Sequence, residues 1–386
     1  MAIARQRIRL PPGCWRSAIA GMLRGDLWDG DDVAQLESAF AAFIGTPDSV
    51  AVPSGRAGLR FIFDALDLPK GSEILFSAFG YPVVPHLART LGYDVKFVDC
   101  ELETMGLDPE RLAEAISDRT RAVLVTHLYG VPCRIDEIAE VVASRGAKLI
   151  EDCAHCFGAS VGGTKVGAYG DFGYFSFETS KPINALGGGM VTAREPADAA
   201  KLRTIARSQE RNRFKWLAKR LLTTTFEATV THPVPFNLAV YPALRLTTGK
   251  ASEDDRFASG YHADEITLAG RMGRFTNFQA RLALRQMSIA EPQIERRVAL
   301  ADRMRRRLDG KVHFQSNDRD GVRTNTMLVT ALFPEMKRVT RELLRRGVDS
   351  KHLYMRDCSG LAEGGPSFAN AARAEREVLH LPAYPE

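Results

Sequence analysis

Between residues 48 and 195, short apolar runs alternate with stretches of helical period. The runs occupy 49–53, 73–76, 95–98, 122–126, 148–151, 173–177 and 189–193. Most are apolar at near-consecutive positions, the pattern of strands buried on both faces. Segments 107–116 and 136–144 between them place apolar residues three and four apart. In the second, Ile138, Val141 and Val142 share one face and Arg145-Gly146 closes it. This alternation predicts an α/β fold: a mostly parallel sheet covered by helices on both sides. An amphipathic helix precedes it, with Val33, Leu36, Phe40 and Phe43 as the stripe, Asp31 or Asp32 as N-cap and Gly45 as the stop.

The rhythm breaks at 201–260. That segment opens basic, with Lys201, Arg203, Arg207, Arg211, Arg213, Lys215, Lys219 and Arg220. It then turns apolar and proline-marked through Pro233, Pro235, Phe236, Tyr241, Pro242 and Leu246, and closes on a charged stretch at 249–256. Beyond it, 277–286 and 293–308 read as helices. Residues 310–386 read as a small α+β unit whose clearest helix is 336–346, with Val339, Leu343 and Leu344 inward and Gly347 as stop. The expected organisation is an arm at 1–30, a large domain at 31–260 carrying the insertion at 201–260, and connecting helices with a small C-terminal domain at 261–386.

Composition narrows the classes. A chain of 386 residues, 45% hydrophobic, buries a core large enough for two domains. Its net charge of +5 is spread out and gives no support for nucleic acid, while leaving room for an anionic substrate. The six cysteines (Cys14, Cys100, Cys133, Cys153, Cys156, Cys358) lack paired spacing, as expected of reduced thiols in a cytoplasmic protein. Cys153 and Cys156 form a lone Cys-x-x-Cys without a second pair, so no metal site is read from it. The first residues carry no apolar signal-peptide core, and no apolar run is long enough to span a bilayer.

Two stretches carry chemistry. Phe175-Ser176-Phe177-Glu178-Thr179-Ser180-Lys181 ends on a lysine and is followed by Gly187, Gly188 and Gly189. Glu151-Asp152-Cys153-Ala154-His155 lies upstream at a strand end. A lysine able to form an imine and an aspartate able to hold a pyridinium nitrogen are the groups that pyridoxal phosphate needs. Ser54-Gly55-Arg56-Ala57-Gly58 opens a helix directly after a strand, where backbone N–H groups can approach a phosphate.

With 53–59 (PSGRAGL), 151–159 (EDCAHCFGA), 170–181 (GDFGYFSFETSK), 186–191 (LGGGMV) and 378–385 (VLHLPAYP) in this order, the chain resembles the DegT/StrS-type nucleotide-sugar aminotransferases. These are fold type I pyridoxal phosphate enzymes, so the resemblance implies a seven-stranded sheet in the large domain. It implies Lys181 as the residue that holds the cofactor covalently and acts as general base, and Asp152 as partner of the ring nitrogen. It implies His155 beside the cofactor's phenolic oxygen, Tyr81 stacked on its ring, and Ser54, Gly55, Arg56, Ala57 and Ser176 around its phosphate. It further implies an amino-acid donor, glutamate, a keto-sugar acceptor linked to a nucleotide, and a homodimer.

Three features depart from the family's pattern. Arg56 stands where the family usually has Thr. Of the segment that reaches a neighbouring subunit's phosphate, Met272-Gly273-Arg274-Phe275 retains only Arg274. Glu178 replaces a residue that is often His or aromatic. Lys181 argues against the family's sugar dehydratases, which carry His there. A lipid-like, lipid-linked or cyclitol ketone, and a non-catalytic regulatory protein, are the alternative readings. For 201–260 two readings stay open: a lid or dimer arm, and a peripheral surface that meets anionic lipid.

Overall fold

The structure, a computed structural model, describes residues 1–247, 273–352, 355–361 and 368–384. The charged stretch at 249–256, Met272 and the expected boundary at 260/261 lie outside the described residues.

The main sheet has seven strands: β1 (Asp48–Val52), β2 (Glu73–Ser77), β3 (Asp94–Val98), β4 (Thr120–Thr126), β5 (Lys148–Asp152), β6 (Phe172–Ser176) and β7 (Gly189–Ala193). Their order is β1-β7-β6-β5-β4-β2-β3. All neighbours are parallel except those of β7, which pairs antiparallel with both β1 and β6. Alternate residues of one strand feed two cores. Ala122 and Leu124 of β4 join Leu59, Ile62 and Leu87 on one side, while Val123 and Val125 join Leu112, Ile138 and Val142 on the other. Each such valine, leucine or isoleucine contributes about 1.5–3 kcal/mol on burial. That double burial explains the near-continuous apolar runs.

The helix Asp32–Ile44 covers the β1/β7/β6 end, where Phe40 meets Phe175 at 4.9 Å between ring centroids and Phe157 at 5.6 Å. Its stop is Gly45, at φ 89. The expected aspartate cap is replaced: Asp31 makes no side-chain cap, and the Asp32 N–H donates to Asn277 Oδ1 at 2.9 Å. A cap borrowed from another helix leaves no local sequence signal. The helix expected at 293–308 starts earlier, at Ala290–Leu308, because Pro292 fits a first turn whose N–H groups need no helical partner.

A smaller sheet is formed by β8 (His313–Phe314), β9 (Val329–Leu332) and β10 (Val378–Leu381), in the order β8-β9-β10 and antiparallel. The helix Met336–Arg345 packs on it through Met336 and the half-buried Val339 and Leu343, while Leu344 is buried outside that cluster.

A helix at Cys14–Arg24 had no counterpart in the periodicity reading. Its inward side is small (Cys14, Ser17, Ala18, Gly21), and its large apolar residues point to solvent. The insertion is mostly helical as far as it is described: the end of Pro196–Ser208, then Phe214–Val230, Pro233–Pro235, Phe236–Val240 and Tyr241–Thr247.

Candidate active site

The carboxyl ends of the parallel strands open onto one cavity of about 720 Å³, the place where open α/β sheets bind ligands. Ser54, Gly55, Arg56, Tyr81, Asp152, His155, Ser176 and Lys181 all line it. Ala57 is not among the lining residues. Its N–H donates to Ser54 Oγ at 3.1 Å, capping the helix Gly55–Leu66, and its methyl group is fully buried in the core.

Asp152 closes β5, and register places it opposite Tyr174 of β6. Tyr174 O–H donates to Asp152 Oδ2 at 2.6 Å, and the Ala154 N–H donates to Oδ1 at 3.0 Å. Burial raises the Asp152 pKa; these two donors and the Lys181 ammonium oppose the rise. Hydrogen bonds to an ionised group contribute about 1.5–3 kcal/mol each. Tyr174 was missed by the sequence reading, although its alternation with Phe175 on β6 was there to show that it faces the other side.

Lys181 keeps part of its surface toward the cavity, yet the walls enclose its amine. Burial draws its pKa down from 10.5 to about 8, against the pull of Asp152 and Glu178. The free amine is therefore accessible near neutral pH. The loop that presents it is held from below. Gln286 accepts the Asn184 N–H at 2.9 Å and donates to the Asn184 carbonyl at 2.7 Å, while Asn184 Nδ2 donates to the Arg9 carbonyl at 3.0 Å. The loop returns to β7 through Leu186, Gly187 and Gly188, all at positive φ. A Cβ on Gly188 would lie 2.2 Å from the Phe275 ring, so this position requires glycine.

His155 Nδ1 accepts the Tyr129 N–H at 3.2 Å, which leaves hydrogen on Nε2. Burial, then the neighbouring Lys181 charge, hold its pKa well below the ordinary value and keep the ring neutral. Beside it, Glu151 anchors the turn before β6: its carboxylate accepts N–H groups from Gly167 (2.8 Å), Tyr169 (2.9 Å) and Gly170 (2.7 Å), and pairs with His127 Nε2 at 3.1 Å. His127, Glu151 and Cys153 are close enough together to hold a metal ion, but the carboxylate oxygens already serve these four donors.

Glu178, unexplained by sequence, pairs with Arg220 of the insertion helix Phe214–Val230. Arg220 Nε also donates to the Leu186 carbonyl at 2.6 Å. The departure at 178 and the basic opening of the insertion are thus two halves of one tie across the Lys181 loop. Arg274 is engaged within its own chain by Asp29, which also binds Arg211. Lys351, a second lysine of the cavity, was not anticipated; burial draws its pKa to about 8, and its amine donates to Gln6 Oε1 at 2.9 Å.

The cavity fits pyridoxal phosphate on its donor set. It offers a helix N-terminus with two small residues, a partnered carboxylate, and an enclosed amine. A Cβ added at Gly55 would sit 3.4 Å from Ser176 Cβ, in ordinary van der Waals contact, so the start of this helix packs closely on the end of β6.

Comparison with known proteins agrees. The structure shares its fold with the aminotransferase TlmJ from Streptoalloteichus hindustanus, with a TM-score of 0.78 at 21% identity over 99% of this chain and 94% of that one. It matches DesV from S. venezuelae with a TM-score of 0.76 at 21% identity, over 99% and 93%. Among curated relatives, GDP-perosamine synthase of Caulobacter vibrioides is 32% identical over 188 residues, 48% of this chain and 51% of that protein. The L-glutamine:2-deoxy-scyllo-inosose aminotransferase of Streptomyces fradiae is 35% identical over 191 residues, 49% of this chain and 44% of that protein. The chain thus spans about half the length of the curated relatives it matches. The family's sequence model covers residues 16–386. The chain belongs to the DegT/DnrJ/EryC1/StrS aminotransferase family.

Proposed function

We propose that this protein is a pyridoxal phosphate-dependent aminotransferase that moves an amino group from an amino-acid donor, glutamate, to the ketone of a nucleotide-linked sugar. The observation that carries the reading is the enclosed Lys181 amine, with a pKa near 8, in one cavity with the doubly bonded Asp152 carboxylate. Bound there, pyridoxal phosphate supplies an electron sink for the pair released when the donor's Cα–H bond breaks.

The chain's own groups supply the rest. Lys181 would hold the cofactor covalently, and its neutral amine would take the donor's Cα proton and return it on the product side as general base and acid. Asp152 would accept a hydrogen bond from the ring nitrogen, with Tyr174 aiming that carboxylate and favouring its ionised form. His155 would offer Nε2–H to the cofactor's phenolic oxygen, and Tyr81 would cover its ring. Ser54, the Gly55 N–H, Arg56 and Ser176 receive the phosphate at the helix N-terminus. Ala57 acts one step back, fixing Ser54 through the cap. The domain division at 31–260 and 261–386, and a homodimeric state, are part of this proposal. Six free cysteines, all buried, support a reducing, cytoplasmic setting.

The acceptor class is tested by running the reaction backward. Amino-sugar nucleotides and amino-cyclitols are each offered with 2-oxoglutarate, and glutamate is measured. Glutamate from the sugar nucleotides alone supports the reading. Glutamate from the cyclitols alone moves the protein toward the acceptor named for the Streptomyces fradiae relative.

A further inference from the structure

Two neighbouring helices carry an inverted surface. In Cys14–Arg24, Trp15, Ile19, Met22 and Leu23 recur at helical spacing and are 41%, 52%, 46% and 84% exposed. In Phe214–Val230, Leu222 and Phe226 are 62% and 66% exposed. The inward faces of both helices enter the same core, through Cys14 and Ala18 of the first and Leu217 and Leu221 of the second. The Trp15 indole N–H donates to Thr225 Oγ1 at 3.2 Å, joining the outward faces edge to edge. Isolated exposed apolar residues need no explanation, but six on two adjoined helices do.

The exposed charges carried by the outward faces of the two helices have one sign. Arg16, Lys215 and Lys219 are exposed beside it. The first helix has no acidic residue, and the only one of the second, Glu227, lines the cavity. The nearest acids at the end of the first helix are engaged: Asp26 by Arg24 and Arg281, and Asp29 by Arg211 and Arg274. A two-fold contact between copies would set this basic face against itself, since such an interface uses the same patch twice. An apolar stripe with an indole at its edge and cations beside it is instead complementary to an anionic bilayer surface, where apolar side chains enter the acyl boundary and cations meet phosphate. No helix among the described residues is long and apolar enough to cross a membrane, so the contact is peripheral.

We infer that the paired helices Cys14–Arg24 and Phe214–Val230 form a docking surface for an anionic lipid bilayer. The face adjoins the cavity mouth. Residues 5–12, which line the cavity, run directly into the first helix, and Glu227 of the second lines it as well. Docking therefore sets the mouth beside the lipid. The inference is independent of the catalytic reading, and its test reads binding alone.

The test is co-sedimentation of the full chain with sucrose-loaded vesicles of phosphatidylglycerol and phosphatidylcholine, with pure phosphatidylcholine alongside. At low salt the protein pellets with the anionic vesicles, stays in solution with the neutral ones, and is released by high salt. Leu23→Asp with Phe226→Asp, and separately Lys215→Glu with Lys219→Glu, each weaken the partition by about tenfold or more. All four side chains are exposed, and unchanged circular dichroism and thermal midpoint show that each variant is folded. Wild type that stays in solution with anionic vesicles at low salt overturns the inference, as does equal pelleting of either variant. Self-association that is abolished by the Leu23/Phe226 pair, without vesicle binding, also overturns it and assigns the face to a second copy.

Discussion

The strand-end cavity and the outer face of the two adjoined helices obey opposite rules. In the cavity, ionisable groups are buried and partnered: Asp152 by Tyr174 and Ala154, Glu151 by three backbone N–H groups and His127. On the helical face, large apolar groups stand in water and the cations beside them lie exposed. A fold that only had to be stable would do neither. Partnered buried charge holds geometry at a cost in desolvation, and exposed apolar surface marks a contact made with something else. Glu178 and Arg220 join the two regions, since the salt bridge links the Lys181 loop to the helix that carries Leu222 and Phe226.

The contrast can be broken by mutation, and the expected effects fall in order. On the proposed reading, Lys181→Ala removes both the covalent anchor and the general base. Turnover drops by about a thousandfold or more, and the visible cofactor band is lost on reconstitution. In the cofactor-free protein the same position acts on stability with a defined sign. The Lys181 pKa is about 8 folded and 10.5 unfolded, so the unfolded chain binds more protons between those values and stability rises with pH across them. Lys181→Met is therefore more stable than wild type by about 3 kcal/mol below pH 8, and the gain vanishes above 10.5. Calorimetry of both cofactor-free proteins from pH 7 to pH 11 checks it.

Tyr174→Phe leaves Asp152 one donor short and costs about 1.5–3 kcal/mol in stability, with the Asp152 pKa rising further. Chemical denaturation measures the first. A shift of the acid limb of the turnover profile to higher pH measures the second. Arg220→Ala removes a half-exposed tie, so its stability cost stays within about 1 kcal/mol. The change falls instead on cofactor retention, read as a several-fold faster loss during dialysis. Leu23→Asp with Phe226→Asp lies at the other end of the scale. Both side chains face water in the free protein, so stability moves by about 0.5 kcal/mol or less.

What was legible in the sequence divides along the same line. The seven strands were readable within one or two residues, because double burial forces continuous apolar runs. The gathering of Lys181, Asp152, Ser54 and Ser176 on one cavity was legible from the motifs that carry the family resemblance. Tyr174 and Gln286 were not, since their roles arise from register across β5 and β6 and from a helix about a hundred residues away. Glu178 could not be explained without Arg220, forty-two residues on. Ala57 stood in the right motif but turns inward to complete a cap. The helix Cys14–Arg24 went unread because its burial signal is inverted, and that inversion is what marks it as a contact surface.

The central claim is that Lys181 and Asp152 form the working centre of an aminotransferase. It is tested most directly by the donor half-reaction. Reconstituted wild type and Lys181→Ala are mixed with glutamate under single-turnover conditions, while the visible cofactor band and released 2-oxoglutarate are followed together. The account predicts that wild type loses the band and releases one 2-oxoglutarate per site, and that the variant, which forms no such band, releases none. A wild-type protein that takes up the cofactor through Lys181 yet releases no keto acid from glutamate or any other amino-acid donor would contradict it.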